Sequence, residues 1–372
     1  MSNRANIYIG LMSGTSMDSI DAVAVIFRKT KLELVACHSI DIPQQVGQSI
    51  RRLCHSGEDN IDLYARTDQV LGSLFSQVAK ELMANAKLTV NQVAAIGSHG
   101  QTIRHKPPNG RPGYTLQIGD PNIIAIETGC TVVADFRRAD MALGGQGAPL
   151  VPAFHQNFFG HPDRGRVIVN IGGIANLTLL HNDYCSGFDT GPGNLLLDAW
   201  CFKNTGQTFD DRGAWSKTGV SSRALVNQLK EATFFQQPPP KSTGRELFNL
   251  NWLQQQLKNF DLSAADVQAS LTRFTAETVS EAIAQADFTV DDIFVCGGGT
   301  CNEELITQLD SCLAVNNFPE TTSTAALGLD PRWVEACAFA WLAKQRLEKS
   351  PGNIATVTGA SRAAVLGGIF EP

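Results

Sequence analysis

The order of strands and glycine turns constrains this chain more than any other feature. Residues 6–11 are apolar, Ser13-Gly14-Thr15-Ser16 is a turn, and 21–27 is apolar again. Residues 32–36 keep period two through Leu32, Leu34 and Ala36, so three short-linked strands form an antiparallel meander. Helical patterns cover 44–54 and 61–86. They lead to strands at 93–98 and 114–118, a helix from Pro121, and a strand at 131–134. Near residue 166 the order starts again: strand 166–171, the turn Gly172-Gly173, strands 174–180 and 184–188, and a helix over 193–202. A block of elements repeated about one domain apart is the mark of an internally duplicated α/β fold.

The remainder is mostly helical, over 220–232, 247–258 and 264–286, the last capped by Ser263. Strand 292–296 runs into Gly297-Gly298-Gly299, with a helix from Asn302. Asp330-Pro331 reads as an N-cap followed by proline at the first helical position. Beyond it Val334, Cys337, Ala338, Trp341 and Leu342 form an apolar stripe. Two stretches rich in proline or glycine, 106–113 and 236–244, read as long surface loops of the kind that act as lids.

Composition narrows the function. A chain of 372 residues with 43% hydrophobic and 18% charged residues has two domains' worth of core. A formal charge of −6 argues against a nucleic-acid surface. No apolar run approaches a membrane span, and the first nine residues lack a signal peptide's apolar length, so a cytoplasmic protein is expected. Nine cysteines without framework spacing, with Cys37, Cys130, Cys296 and Cys337 in apolar runs, read as buried free thiols. The pair Cys296 and Cys301 has no second pair to complete a zinc site.

Several motifs carry chemistry. Gly14-Thr15-Ser16-Met17-Asp18-Ser19-Ile20-Asp21 offers N–H and O–H groups to phosphate oxygens, without the lysine of a P-loop; its spacing alone favours an ordinary hairpin. Asn170-Ile171-Gly172-Gly173 stands at the matching point of the second repeat, so two hairpins could hold one polyphosphate. In Asp189-Thr190-Gly191-Pro192-Gly193-Asn194 a strand ends at an acid and glycines open a helix. Asp189 is either a general base or the head of an Asx turn, and the helix start could face an anion. Gly297, Gly298 and Gly299 let a flat group approach the backbone. His99, Gln101 and His105 with Asp135 and Arg137 supply the amide, imidazole and guanidinium groups that hydroxyls and a carboxylate require. Glu335 puts a carboxylate on an apolar helical line, or simply favours a helix N-terminus.

These blocks closely resemble the anhydro-N-acetylmuramic acid kinases. The resemblance lies in residues 10–18, 98–102, 135–137, 144–150, 170–176, 189–194, 297–299 and 357–360, in family order. It implies an α/β, two-lobed, actin/hexokinase-like (ribonuclease H-like) duplicated fold with an interlobe ATP cleft. The expected N-terminal lobe, 1–135, holds the first phosphate hairpin and part of the sugar site. The expected C-terminal lobe, 136–372, holds the second hairpin, Asp189 and the adenosine turn, with a helix at 331–346 near the hinge.

The same resemblance implies that water opens the 1,6-anhydro ring and that O6 receives the γ-phosphoryl group of ATP, in peptidoglycan recycling. Asp189 would be the base. Gly14, Thr15, Ser16, Met17, Asp18, Ser19, Ile20 and Asp21, with Asn170, Gly172 and Gly173, would bind phosphates, and Gly297–Gly299 the nucleoside. Arg137 would take the sugar's acidic group, with His99, Gln101 and Asn194 around the substrate. Glu335 would lie near the phosphates or the metal, Mg2+, for which Asp18, Asp189 and Glu335 are the candidate ligands. The partner is the small sugar, with no nucleic acid or membrane, and a homodimer is compatible. Ser19 replaces the family's usual glycine and would cost about 1 kcal/mol if its φ were positive. A filament- or chaperone-like ATPase of the same fold would bind ATP without sugar-stimulated turnover. A glycoside hydrolase would ignore ATP and need a second carboxylate near Asp189.

Overall fold

The structure, a computed structural model, describes residues 6–372 except 15, 16, 30, 56, 58, 59 and 109. The chain falls into two compact units, 1–159 with 333–372, and 160–332. The expected division at 135 differs from this one because the helices after 135 and the last forty residues pack with the first unit.

The first unit opens with the meander β1 (Ile7–Met12), β2 (Ser19–Arg28) and β3 (Lys31–Asp41), followed by α1 (Gln44–Cys54) and α2 (Ile61–Asn85). Then come β4 (Val93–Ser98), the two-stranded ribbon β5 (Gln101–Lys106) and β6 (Tyr114–Ile118), and α3 (Pro121–Thr128). β7 (Val132–Ala134), α4 (Arg138–Ala142) and α5 (Val151–Phe159) follow.

The second unit runs β8 (Gly165–Ile171), β9 (Ile174–His181), β10 (Tyr184–Pro192), α6 (Asn194–Thr205), α7 (Arg223–Lys230) and α8 (Leu250–Gln256). It continues through α9 (Ala264–Ile283), β11 (Val290–Cys296), α10 (Glu303–Val315) and β12 (Thr321–Ser323). The chain then returns to the first unit with α11 (Val334–Leu347), α12 (Ala355–Thr358) and β13 (Gly368–Phe370).

The duplication is explicit in the sheets. The first has the order β3-β2-β1-β4-β7, extended by β13, and the second β10-β9-β8-β11-β12. In each, the first three strands pair antiparallel and the last two join in parallel. The expected actin/hexokinase-like, ribonuclease H-like topology is therefore present twice. Alternation sets the faces: Ile7, Ile9, Leu11, Ile20, Ala22 and Ala24 share one core with Leu71, Phe75, Val78 and Leu82 of α2. In the second unit Val167, Val169 and Ile171 share theirs with residues of α6, α7, α9 and α10.

Mid-strand glycines set how closely α11 lies on the first sheet. A Cβ at Gly10 would stand 1.8 Å from the Ala336 carbonyl oxygen, and one at Gly97 2.0 Å from that of Phe339. Any side chain at either position would push the helix off the sheet.

Three local expectations are corrected. Asp330 does not cap the late helix: its Oδ1 accepts the Arg332 N–H at 2.9 Å in a separate turn, and α11 begins at Val334. Cys37 is exposed, because it points outward from the edge strand β3, whereas Cys130, Cys296 and Cys337 are buried. Ser19 carries no positive φ; it is the first residue of β2, opposite Asp41, and the left-handed position is Met17 with φ 61°.

Candidate active site

In the first unit, the ends of β1 and β4 bring the first turn against the polar cluster. Thr15 and Ser16 lie outside the described residues. Ser13 Oγ donates to Gln101 Oε1 at 2.7 Å, tying the turn to β5, and the His99 N–H donates to the Leu11 carbonyl at 3.0 Å. Gly14 faces open space, with nothing within 4 Å of where a Cβ would be. Asp18 is exposed. Met17 and Ile20 point into the core, so only their backbone could serve a ligand. Asp21 Oδ1 accepts the Ser39 hydroxyl at 2.7 Å within the sheet.

His99 is buried and holds Arg137. Its Nδ1 lies 2.7 Å from the Gly100 carbonyl oxygen, so Nδ1 carries the hydrogen, and Nε2 accepts from Arg137 Nη2 at 2.9 Å. Burial, then the Arg137 charge, holds the His99 pKa down at about 3, so the ring is a neutral acceptor. His105 is likewise held down at about 3, by burial and then by Arg137. Arg137 Nη1 also donates to the Gly147 carbonyl at 2.8 Å, and the two bonds fix the guanidinium plane. Glu335, partly buried, lies in the first turn of α11.

In the second unit, register aligns a polar row. Asn170 of β8 faces Asn176 of β9, and Asn176 faces Asp189 of β10, where a register shift precedes Gly191. Asp189 is 7% exposed, and its Oδ2 accepts the Thr243 N–H at 2.8 Å. The glycine triplet folds onto the start of the row. Gly297 has φ 84°, and a Cβ there would meet Asn170 Oδ1 at 2.4 Å; one at Gly299 would meet Ile171 Cγ2 at 2.3 Å. Gly298 and Gly172 are different, since a Cβ there would meet only Asn194 Nδ2 at 4.0 Å and the Ile174 carbonyl at 3.4 Å. The triplet thus divides into two packing glycines and one open one.

The start of α6 is not the anion site that its glycines suggested. The N–H groups of Gly193, Asn194 and Leu195 donate to the carbonyls of Gly173, Gly172 and Gly173, at 2.9, 2.8 and 3.0 Å. They brace the Gly172-Gly173 turn from behind, and Asn194 Nδ2 reaches the Ile171 carbonyl at 3.4 Å.

Each unit by itself offers glycine backbone of the kind that a nucleotide's phosphates can approach. Gly14, Gly172 and Gly298 each present backbone with room for an approaching group. Beside the triplet lies a cavity of about 390 Å³, lined by Val295, Thr300, Cys301, Thr321, Ser323 and Arg332. That is the size of a small-molecule site. Among the described residues no three His, Cys, Asp or Glu side chains group as a metal cage. Mg2+ bound through phosphates needs only one or two carboxylates, and the candidates lie in both units, Asp18 and Glu335 in the first and Asp189 in the second.

Four residues have roles that the sequence reading did not assign. Ser13 and Thr243 act through the bonds above. Asp140, fully buried, accepts from the Gly147 N–H at 2.8 Å, Asn353 Nδ2 at 2.5 Å and Thr358 Oγ1 at 2.6 Å. It latches the 144–150 loop, and with it the Arg137 partner Gly147, to the C-terminal segment. Lys241 is buried beside Asp189, in the second half of a stretch read as surface loop. Residues 236–240 of that stretch are exposed, and the chain then turns inward. The only signal for Lys241 was a lone lysine directly after three prolines.

The family model described as anhydro-N-acetylmuramic acid kinase matches residues 6–372. The chain is 52% identical over 368 residues to the anhydro-N-acetylmuramic acid kinase of Shewanella sediminis, covering 98% of each. It is 50% identical over 368 residues to that of Shewanella amazonensis, again covering 98% of each. To that of Coxiella burnetii it is 48% identical over 367 residues, covering 98% of this chain and 97% of the other. With the duplicated fold and the paired glycine turns, these matches show that the chain belongs to the anhydro-N-acetylmuramic acid kinase family.

Proposed function

We propose that this chain uses ATP and water to convert 1,6-anhydro-N-acetylmuramic acid to N-acetylmuramic acid 6-phosphate and ADP, in peptidoglycan recycling. The family match over nearly the whole chain supports the substrate. The observation that carries the chemistry is Asp189: a buried carboxylate ending the Asn170–Asn176–Asp189 row, beside glycine backbone that a polyphosphate could approach.

Asp189 takes a proton from water as the water oxygen bonds to C1 and the C1–O6 bond breaks. O6 bonds to the γ-phosphorus, whose bond to the β,γ-bridging oxygen breaks to release ADP. Phosphorus captures the departing oxygen, so no second carboxylic acid need protonate it, unlike in an ordinary glycosidase. Arg137, held by His99 and Gly147, binds the sugar's carboxylate; Gln101 and Asn194 assist. Gly14 to Asp21 and Gly172-Gly173 bind phosphate, and the Gly297–Gly299 turn with its neighbouring cavity takes the nucleoside. Mg2+, held by Asp18, Asp189 or Glu335, would neutralise charge on the phosphates. ATP dependence suits a cytoplasmic location.

The Arg137–His99 arrangement favours this reading over a sugar-independent ATPase, which needs no fixed guanidinium of this kind. A coupled assay of ADP release with Mg-ATP tests it. Release should depend on the anhydro sugar; equal release without it would overturn the proposal.

A further inference from the structure

Gly147 connects two ionisable side chains through one residue. Its N–H donates to Asp140 Oδ2 at 2.8 Å, and its carbonyl accepts from Arg137 Nη1 at 2.8 Å. The geometry requires glycine. Gly147 has φ 70°, and a Cβ there would meet Met141 Cγ at 2.8 Å. A Cβ at Gly145 would meet Asp140 Oδ2 at 2.2 Å, so the loop wraps the carboxyl group closely.

Asp140 is fully buried, a costly place for a carboxyl group unless hydrogen bonds satisfy it. Its three side-chain donors come from two directions: Gly147 in the loop, and Asn353 and Thr358 in the C-terminal segment. Asn353 is held in turn. Its Oδ1 accepts the Ala364 N–H at 2.7 Å, so it presents Nδ2 to Asp140. Two backbone bonds join the same pieces of chain. The Gln146 N–H donates to the Thr358 carbonyl at 2.7 Å, and the Ser361 N–H donates to the Leu143 carbonyl at 2.9 Å. Both oxygens of Asp140 accept, whereas an asparagine there has one acceptor and would aim a donor at a donor. The other anchor of Arg137, His99, is set by the Gly100 carbonyl and does not involve Asp140.

We infer that Asp140 is a positioning residue for Arg137: through Gly147 it sets the carbonyl that orients the guanidinium, and it thereby ties sugar recognition to the 353–361 segment. This rests on Arg137 taking the sugar's carboxylate. All of these groups belong to the first unit.

The test is a double-mutant cycle on the sugar KM, with kcat, the ATP KM and Tm measured alongside. Asp140→Asn in the wild-type background should raise the sugar KM about 3–10-fold, with kcat and the ATP KM changed less than about twofold. In an Arg137→Ala background, where no guanidinium remains to be oriented, the same change should alter the sugar KM by less than about twofold. If Asp140→Asn does not fold, Thr358→Val carries the test. It removes one donor to Asp140 and should raise the sugar KM about threefold while Arg137 is present, whereas Thr358→Ser, which keeps the hydroxyl, should match the wild type. An unchanged sugar KM in the folded variant, or an equal rise with and without Arg137, would overturn the inference. Arg137→Ala alone separates the two claims. If it leaves the sugar KM unchanged, the reading of Arg137 as the carboxylate contact falls; if it raises the KM and Asp140→Asn adds to it in full, only the role of Asp140 falls.

Discussion

Asp21 and Asp189 stand at the same end of two sheets with the same strand order, and their surroundings differ in kind. Asp21 lies on the second strand, partly exposed, with its Oδ1 taking the Ser39 hydroxyl inside the sheet. Asp189 lies on the third strand, buried, and is held by the backbone of a segment inserted between α7 and α8. A duplicated frame thus sets where carboxylates can stand. The chemistry of each depends on what is added to the frame: a serine on the neighbouring strand in one unit, a loop that donates a backbone N–H in the other.

The largest expected effect breaks this pair apart. Asp189→Asn should lower kcat by about 10³-fold while ATP still binds, as loss of a general base does. Asp21→Asn should lower kcat far less, by no more than about tenfold, since its Oδ1 is engaged by the Ser39 hydroxyl within the sheet and it takes no proton in the reaction. Equal losses in a turnover assay would mean that the two carboxylates are not distinguished as described.

Arg137→Ala comes next. It removes a charged, pre-oriented donor pair, so the sugar KM should rise about 10–100-fold with ATP affinity little changed. An unchanged sugar KM would free Arg137 of that role. The glycines sharpen the contrast between packing and binding. Gly10→Ala must displace the α11 backbone, and a cost of about 1–3 kcal/mol should appear as a Tm lower by several degrees. Gly172→Ala meets only the Ile174 carbonyl at 3.4 Å, so it should keep its Tm and raise the KM for ATP a few-fold.

The last contrast is in acid stability. His99, His105 and His155 are held neutral, each with a pKa lowered to about 3, chiefly by burial. Below about pH 6.5 the unfolded chain takes up protons that the folded chain refuses, so stability is lost as pH falls. Going from pH 7 to pH 5 should cost about 2 kcal/mol for each, read as a falling Tm. The same neutrality predicts that these rings add no inflection near pH 6.5 to the rate profile.

Much of this was legible before any coordinates. Strands β1, β4, β6, β8 and β9 follow from apolar runs bounded by glycine or charge, and the repeat follows from their order. The Asn170–Gly173 and Gly297–Gly299 turns were visible because glycine has few other reasons to cluster at a strand end. What was hidden depends on contacts distant in sequence. Thr243 reaches Asp189 across 54 residues, and Thr358 reaches Asp140 across 218. No local pattern marks such a pair. Gly10 and Gly97 looked like motif or strand glycines because the helix that needs them lies more than two hundred residues away. Asp330 misled because Asp-Pro opens a helix and an Asx turn equally well.

The most direct test of the central claim is the fate of the water oxygen. In ¹⁸O-labelled water with ATP and the anhydro sugar, mass spectrometry should place the label on C1 of the sugar phosphate and none in the transferred phosphoryl group. Label in the phosphate, with C1 unlabelled, would contradict the claim that water attacks carbon while the freed O6 takes the phosphoryl group.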